Sequence, residues 1–320
     1  MPFIDIPMLR SHTTFVSLHE QQAASKASKK ASEKSTRVTD LTRHMRAEDL
    51  YSLVHRYMRI EKRTPATPRQ LIRSLTTNTD PINGFWEYVS DLNGVAVTTA
   101  FELETVADIL KNERACAFRF AKKAARDHAK SSGYNFRWLQ LGKQKKNPFG
   151  WLVGHLGRAV QRIAGEVIQE GKIAKKDLQH EQDLSSVPIP NLDKPGLTRI
   201  SGRADIVFNP KDGSRATIWE IKLVGSLKFE HVAQIALYGW LWAKTYPETP
   251  FPRLLLFNAL DGERWEISTT KKEARAFVKG VIRAKRARAK LTDDEFRRQY
   301  EKTSAEAQAF VDRMPWSKKA

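Results

Sequence analysis

The sequence predicts an α/β protein of the α+β kind, with a mixed β-sheet flanked by helices between a mainly helical N-terminal region and a basic helical C-terminal tail. Three observations predict it. Apolar residues recur at helical spacing in segments between positions 40 and 130, β-branched residues at period two take over between 198 and 268, and a dense basic helix face follows beyond 270. The 320 residues, 41% of them hydrophobic, suffice for at least one sizeable core. The expected divisions are a flexible basic tail over 1–39, a helical region over 40–140, a core over 141–270 and a basic helical extension over 271–320.

Residues 21–36 hold Ala, Ser and Lys with almost no large apolar side chain, which fits a solvated tail or a frayed helix. Asp40 is placed to cap a helix carrying Leu41, Met45, Leu50, Leu53, Val54 and Met58, ended by Thr64-Pro65-Ala66-Thr67-Pro68. A short helix is expected over 69–75, then a loop over 78–93, where Pro81 and Gly84 fall and Gly94 follows. Residues 102–130 lack Gly and Pro and carry Leu103, Val106, Leu110, Ala117 and Phe120 among many basic residues, the pattern of one long amphipathic helix. Residues 151–170 read as a helix with Leu152, Leu156, Ala159, Val160, Ile163 and Val167 in a stripe. Strands are expected over 198–208 and 216–224 around the turn Asn209-Pro210-Lys211-Asp212-Gly213. A helix over 229–245 and a second hairpin, 253–259 with 263–268 around Asp261-Gly262, complete the order.

Lys and Arg number 55 against 36 Asp and Glu, a formal charge of +19, so the surface should attract polyanions, nucleic acid first among them. The excess is +7 over 1–140, +4 over 141–270 and +8 over 271–320, so it sits in the flanks. Lys122, Lys123, Arg126 and Lys130 on one helix side, and Arg283, Lys285, Arg286, Arg288 and Lys290 further on, would give affinity without base preference. Phe136, Trp138 and Phe149, interleaved with Arg137, Lys143, Lys145 and Lys146, are able to stack single-stranded bases, although core packing is the commoner use of such rings. The single cysteine, Cys116, excludes an intramolecular disulfide framework, a thiolate zinc site and a four-cysteine iron–sulfur cluster. No run reaches the roughly 18 to 20 apolar residues of a membrane span. Residues 1–17 do not read as a secretory signal, and no Walker-type phosphate loop occurs. The expectation is an intracellular protein of cytoplasm, nucleus or mitochondrion, with no membrane and no nucleotide cofactor.

The chemistry-bearing residues lie in the first hairpin. Asp205 sits near the end of one strand, and Glu220 and Lys222, two apart on the next, project from one face. Two carboxylates at a sheet edge form a hard-oxygen site for Mg²⁺ or Mn²⁺, able to polarise a phosphodiester and acidify a water. Lys222 adds a compact positive charge for the attacking water or the transition state. Cross-strand charge pairing would by itself explain such residues. Trp219, Ile221, Leu223 and Val224, however, make the second strand apolar, and charges buried there need pairing or a metal.

Gly202-Arg203-Ala204-Asp205, then Trp219-Glu220-Ile221-Lys222, then Gln234-Ile235-Ala236-Leu237-Tyr238 resembles the PD-(D/E)XK nuclease superfamily in its RecB-like exonuclease branch. The resemblance spans about residues 150 to 270 and is closer to members without an iron–sulfur cluster, similar to mitochondrial genome maintenance or phage exonucleases. It implies a restriction-endonuclease-like core and a Mg²⁺-dependent or Mn²⁺-dependent deoxyribonuclease acting on single-stranded DNA or DNA ends, with a helicase or other DNA-processing protein as partner. By the same resemblance Asp205, Glu220 and the Ile221 carbonyl bind the metal and Lys222 is catalytic, while Gln234 and Tyr238, one helical turn apart, contact DNA or brace the site. Arg203, Lys228, His231 and Arg286 complete the expected DNA contacts. Where family members carry a His three residues after a helical Gly, this chain has Gln161 after Gly157, a weak ligand at best, with Glu166 on the same helix as a further carboxylate. The alternatives are a catalytically silent nucleic-acid-binding protein that keeps the fold, and an endonuclease.

Overall fold

A computed structural model describes residues 35–42, 45–63, 86–132, 152–190, 197–289 and 298. Its centre is one mixed, mostly antiparallel open sheet of seven strands: β1 (Ser35–Arg37), β2 (Arg59–Arg63), β3 (Leu178–Pro190), β4 (Leu197–Phe208), β5 (Thr217–Lys222), β6 (Arg253–Asn258) and β7 (Arg264–Ser268). The order across the sheet is β1-β4-β5-β6-β7-β2, with β3 paired along the other edge of β4. Only β1 with β4 and β5 with β6 are parallel.

The helices are α1 (Val38–Thr42), α2 (Ala47–Tyr57), α3 (Trp86–Leu103), α4 (Val106–Lys111), α5 (Glu113–Ser132), α6 (Leu156–Ala164), α7 (Phe229–Thr245) and α8 (Lys271–Ala289). A π-helical turn, Gly165–Glu170, prolongs α6. Each sheet face carries its own core. On one face Ala204, Val207, Ile218, Leu254 and Leu256 pack with α7, α8, α1 and α2; on the other Ile206, Trp219, Ile221, Leu255 and Phe257 pack with α3, α5 and α6. Helix α7 is buried from Val232 to Ala243 because it lies between the sheet and the outer helices α2 and α8, so it is apolar nearly all round. Strand β5 is likewise covered on both faces, and a near-continuous apolar run is what such a strand needs.

The hairpin from β4 to β5, the helix α7 and the hairpin from β6 to β7 match the sequence expectation closely. Gly213 in the first turn has φ +74°, a conformation that favours glycine. Elsewhere the structure corrects it. Residues 102–130 are not one helix: Thr105, extended at ψ 157°, accepts the Asp108 N–H on its hydroxyl and starts α4 anew, and Asn112 ends α4 before α5 begins. Residues 86–93, read as loop, open α3, because burial of Ala96, Val97, Ala100 and Phe101 outweighs the weak helix propensity of Asn93 and Gly94. Asp40 lies inside α1 instead of capping a helix, and residues 35–39 form β1 and the start of α1. One strand of the expected flexible tail and one of the expected helical region thus join the sheet, β1 beside β4 and β2 along the outer edge of β7. Strand β3 had no expectation at all; it is polar and contains Pro188 and Pro190, which an edge strand tolerates. The expected helix over 69–75, the rings Phe136, Trp138 and Phe149 with their basic neighbours, and the side chains of Lys130, Arg286, Arg288 and Lys290 lie outside the described residues. No helix among the described residues is long and apolar enough to cross a membrane.

Candidate active site

Strand β4 is long enough to serve two partners on one edge. Residues Arg199–Ser201 pair with β1 and Ile206–Phe208 with β5, which leaves Gly202 to Asp205 without a strand neighbour on that side, β3 being on the other. The opening starts where the β4–β5 ladder stops, at Ile206 opposite Trp219, so Asp205 and Glu220 flank it. Asp205 replaces the missing ladder partner: its Oδ2 accepts the Ile221 N–H at 2.7 Å. A strand residue points its N–H and C=O to one side. The Ile221 carbonyl therefore shares the opening, where α3 comes close: a Cβ on Gly94 would lie 3.9 Å from that oxygen.

Glu220, 1% exposed, faces α7. Its Oε1 accepts from Lys222 Nζ at 2.6 Å, while its Oε2 is buried without a hydrogen-bond partner. Lys222 Nζ also donates to Gln234 Oε1 at 3.0 Å, and Gln234 Nε2 donates to the Tyr238 hydroxyl at 3.0 Å. The chain Glu220–Lys222–Gln234–Tyr238 thus ties β5 to α7. Tyr238 in turn lies so close over β4 that a Cβ on Gly202 would meet its ring carbon Cε1 at 2.5 Å, which explains the glycine. Beyond Lys222, buried Asn258 stands opposite it in β6; its Nδ2 donates to the Val224 carbonyl and its Oδ1 accepts the Val224 N–H, fixing the end of β5.

A third carboxylate, absent from the sequence reading, completes the charge pattern. In the β3–β4 ladder His180 pairs with Ile206 and Gln182 with Ala204, so Glu181 falls opposite Asp205. Its φ of +48° is rare for a residue with a side chain. Burial and then the Asp205 charge push its carboxyl up to about 7. Burial, followed by Asp205, raises Glu220 to about 8 against the opposing pull of Lys222. Asp205 is raised by burial as well, opposed by Lys222 and the Ile221 N–H. Like charges crowded at the opening cause this, with Glu220 buried and Asp205 and Glu181 half-buried, and a cation there would relieve it. Among the described residues no three His, Cys, Asp or Glu side chains stand arranged as a finished metal cage. The donors nevertheless fit a hard divalent cation: carboxylate and carbonyl oxygens, one of them, Glu220 Oε2, buried and unsatisfied.

The remaining expected residues fall elsewhere. Gln161 is exposed on α6. Glu166 is buried and pairs with Arg264 of β7 at 3.4 Å, in an ion cluster with Arg253 and Glu266, so its carboxylate is engaged away from Asp205 and Glu220. Gln234 and Tyr238 are 9% and 3% exposed, which fits bracing and leaves little surface for a DNA strand. Arg203 is exposed and held between acids, donating to Asp183 at 3.0 Å with Glu181 at 3.7 Å. Lys228 is exposed. His231 accepts the Lys228 N–H on Nδ1 at 3.1 Å and so caps α7; burial, then Lys222 and Lys228, lower it to about 3, which favours the neutral ring.

No protein-family model matches the chain, and no curated protein matches it. Among solved structures SSO0001 is similar at 17% identity over 49% of this chain and 69% of that chain; the TM-score of 0.28 is too low to bear on fold or function.

Proposed function

We propose that the protein is a Mg²⁺-dependent or Mn²⁺-dependent deoxyribonuclease with a restriction-endonuclease-like core of the RecB-like type, acting on single-stranded DNA or DNA ends. One observation carries the reading: Glu220, buried at 1% exposure with one oxygen unsatisfied, flanks the strand opening with Asp205 and is bonded to Lys222. Asp205, Glu220 and the Ile221 carbonyl would hold the cation, which supplies Lewis-acid polarisation of the phosphodiester. The Ile221 N–H keeps Asp205 oriented, and Gln234, itself held by Tyr238, keeps the Lys222 ammonium at the opening. Lys222 orients the attacking water or stabilises charge growing on the phosphoryl oxygens. One water is consumed; its oxygen bonds phosphorus as the P–O bond to the leaving sugar breaks and that oxygen takes a proton. A helicase or another DNA-processing protein would supply the substrate.

A catalytically silent DNA-binding protein is the second reading, favoured by Gln161 standing exposed in place of a His. Cleavage of end-labelled single-stranded, duplex and circular DNA in Mg²⁺, Mn²⁺ or EDTA decides. Metal-dependent products, reduced at least about 100-fold by Glu220→Gln and by Lys222→Ala, are expected. Binding without products in either metal would overturn the nuclease reading, and cutting of the circle would make the enzyme an endonuclease.

A further inference from the structure

Helix α5 carries a feature that the carboxylate site does not use. Its inner side, Ala117, Phe120, Ala121, Ala124 and Ala125, is buried against the second core. On its outer side an open groove of about 580 Å³ is lined, among the described residues, by Phe118, Arg119, Lys122, Lys123 and Arg126. Phe118 is 41% exposed on that cationic face. Phe118, Lys122 and Arg126 follow one another at four-residue steps, with Arg119 and Lys123 in the adjoining row, so four cations and one ring cover about 12 Å of helix. Arg119 is held by Glu104, and Asp127 takes Lys123 at 2.6 Å and Arg126 at 3.6 Å, so two acids stand against four cations; the Lys122 ammonium stands 5.9 Å from the Phe118 ring centroid.

An aromatic ring on a helix face needs no special explanation when it stands alone. One ringed by cations on an open groove is different, because it offers a flat apolar surface beside charges that attract a polyanion. A duplex keeps its base faces hidden in the stack and would engage only the cations. A single strand engages both. We infer that the α5 groove binds single-stranded DNA, with a base stacked on Phe118 and the backbone phosphates along Arg119, Lys122, Lys123 and Arg126.

The groove and the carboxylates meet at the same end of α3. Glu104, the partner of Arg119, follows Glu102, whose charge acts on Glu181, and the Phe101 ring lies 5.6 Å from that of His180, next to Glu181. A strand leaving the groove past this turn would run towards the opening between β4 and β5. This continuation rests on the nuclease reading; binding in the groove does not.

The test is fluorescence anisotropy with the full chain in EDTA, using a labelled oligo-dT and a duplex of equal length. Phe118→Ala, at an exposed position, is expected to weaken single-strand binding about tenfold and to leave duplex binding within about twofold. A strand with 2-aminopurine should be quenched by the wild type and by Phe118→Trp, and not by Phe118→Ala. Lys122→Ala with Arg126→Ala should lower the salt slope of single-strand binding by about 1.4. Unchanged single-strand affinity in Phe118→Ala, equal loss on duplex, or an unchanged salt slope would each overturn the assignment. Absence of cleavage by the wild type in Mg²⁺ would defeat the nuclease reading alone, since none of these binding results depends on it.

Discussion

The sheet carries two clusters of acids and bases, and they are built to opposite rules. Between β6 and β7, Arg253 grips both oxygens of Glu266 at 2.7 Å, and Arg264 reaches Glu166 and Glu266. The Arg253 bonds lower the Glu266 carboxyl below the ordinary range. Around the opening between β4 and β5, the acids Glu181, Asp205 and Glu220 gather near the Lys222 ammonium, with exposed Arg203 reaching only Glu181 at 3.7 Å, and all three carboxyls are raised. The first cluster is satisfied by the protein's own cations; the second is complete only with a proton or a cation added. Charge content alone therefore does not mark a functional site. The shortage of partners is what supports the proposed site.

The sharpest test of this contrast is the pH dependence of the metal-free protein. Glu181 and Glu220 are raised to about 7 and about 8, so between the ordinary carboxylate range and pH 8 the folded state holds protons that the unfolded state has released. Stability contributed by these protons is full below about pH 4 and is lost as pH rises through 7 and 8. Urea denaturation in EDTA should show a fall on the order of 3 kcal/mol between pH 5 and 8, carried mainly by buried Glu220, since Glu181 is 34% exposed and screened by water. Mg²⁺ should restore much of it at pH 8; a flat profile would erase the distinction between the clusters.

A smaller effect is expected from Lys222→Met. Removing the ammonium at pH 8 should cost about 1 to 2 kcal/mol, because Glu220, about half ionised there, loses its buried partner. At pH 5, where Glu220 carries a proton, the cost should shrink markedly. Equal costs at both pH values would mean that Lys222 contributes packing and not charge.

Arg253→Met should do least, about 1 kcal/mol by the same denaturation, since that pair is partly exposed. Its pH dependence should run the other way: the Glu266 carboxyl is lowered, so its contribution is present at neutral pH and lost as pH falls through the lowered value. A loss that grew towards alkaline pH would place this cluster in the class of the other.

How much of this was legible beforehand depended on sequence distance. The β4–β5 hairpin and α7 were readable because their apolar periodicity and turn residues are local, and Asp205, Glu220, Lys222, Gln234 and Tyr238 came with them. Glu181 was not readable: β3 is polar, and only the ladder puts that residue opposite Asp205. The pairing of Glu166 was not readable either, its partner Arg264 being 98 positions away. Strands β1 and β2 are three and five residues long and mostly polar, too short for any period to declare itself.

Those two short strands limit how the molecule may be cut. Val38, Leu41, Leu50 and Val54 belong to the same core as α7, Lys62 lies 4.1 Å from the Trp265 ring centroid, and Thr269 donates to the Tyr57 carbonyl. A gene fragment starting at residue 141 would encode every carboxylate of the opening and yet bare one side of α7 and the full edge of β7. Such an edge invites pairing with other chains. Transplanting the site as a cassette would deliver an aggregating sheet, so any transferable unit must carry residues 35–63 with it, and α3 to α5 to cover the other face.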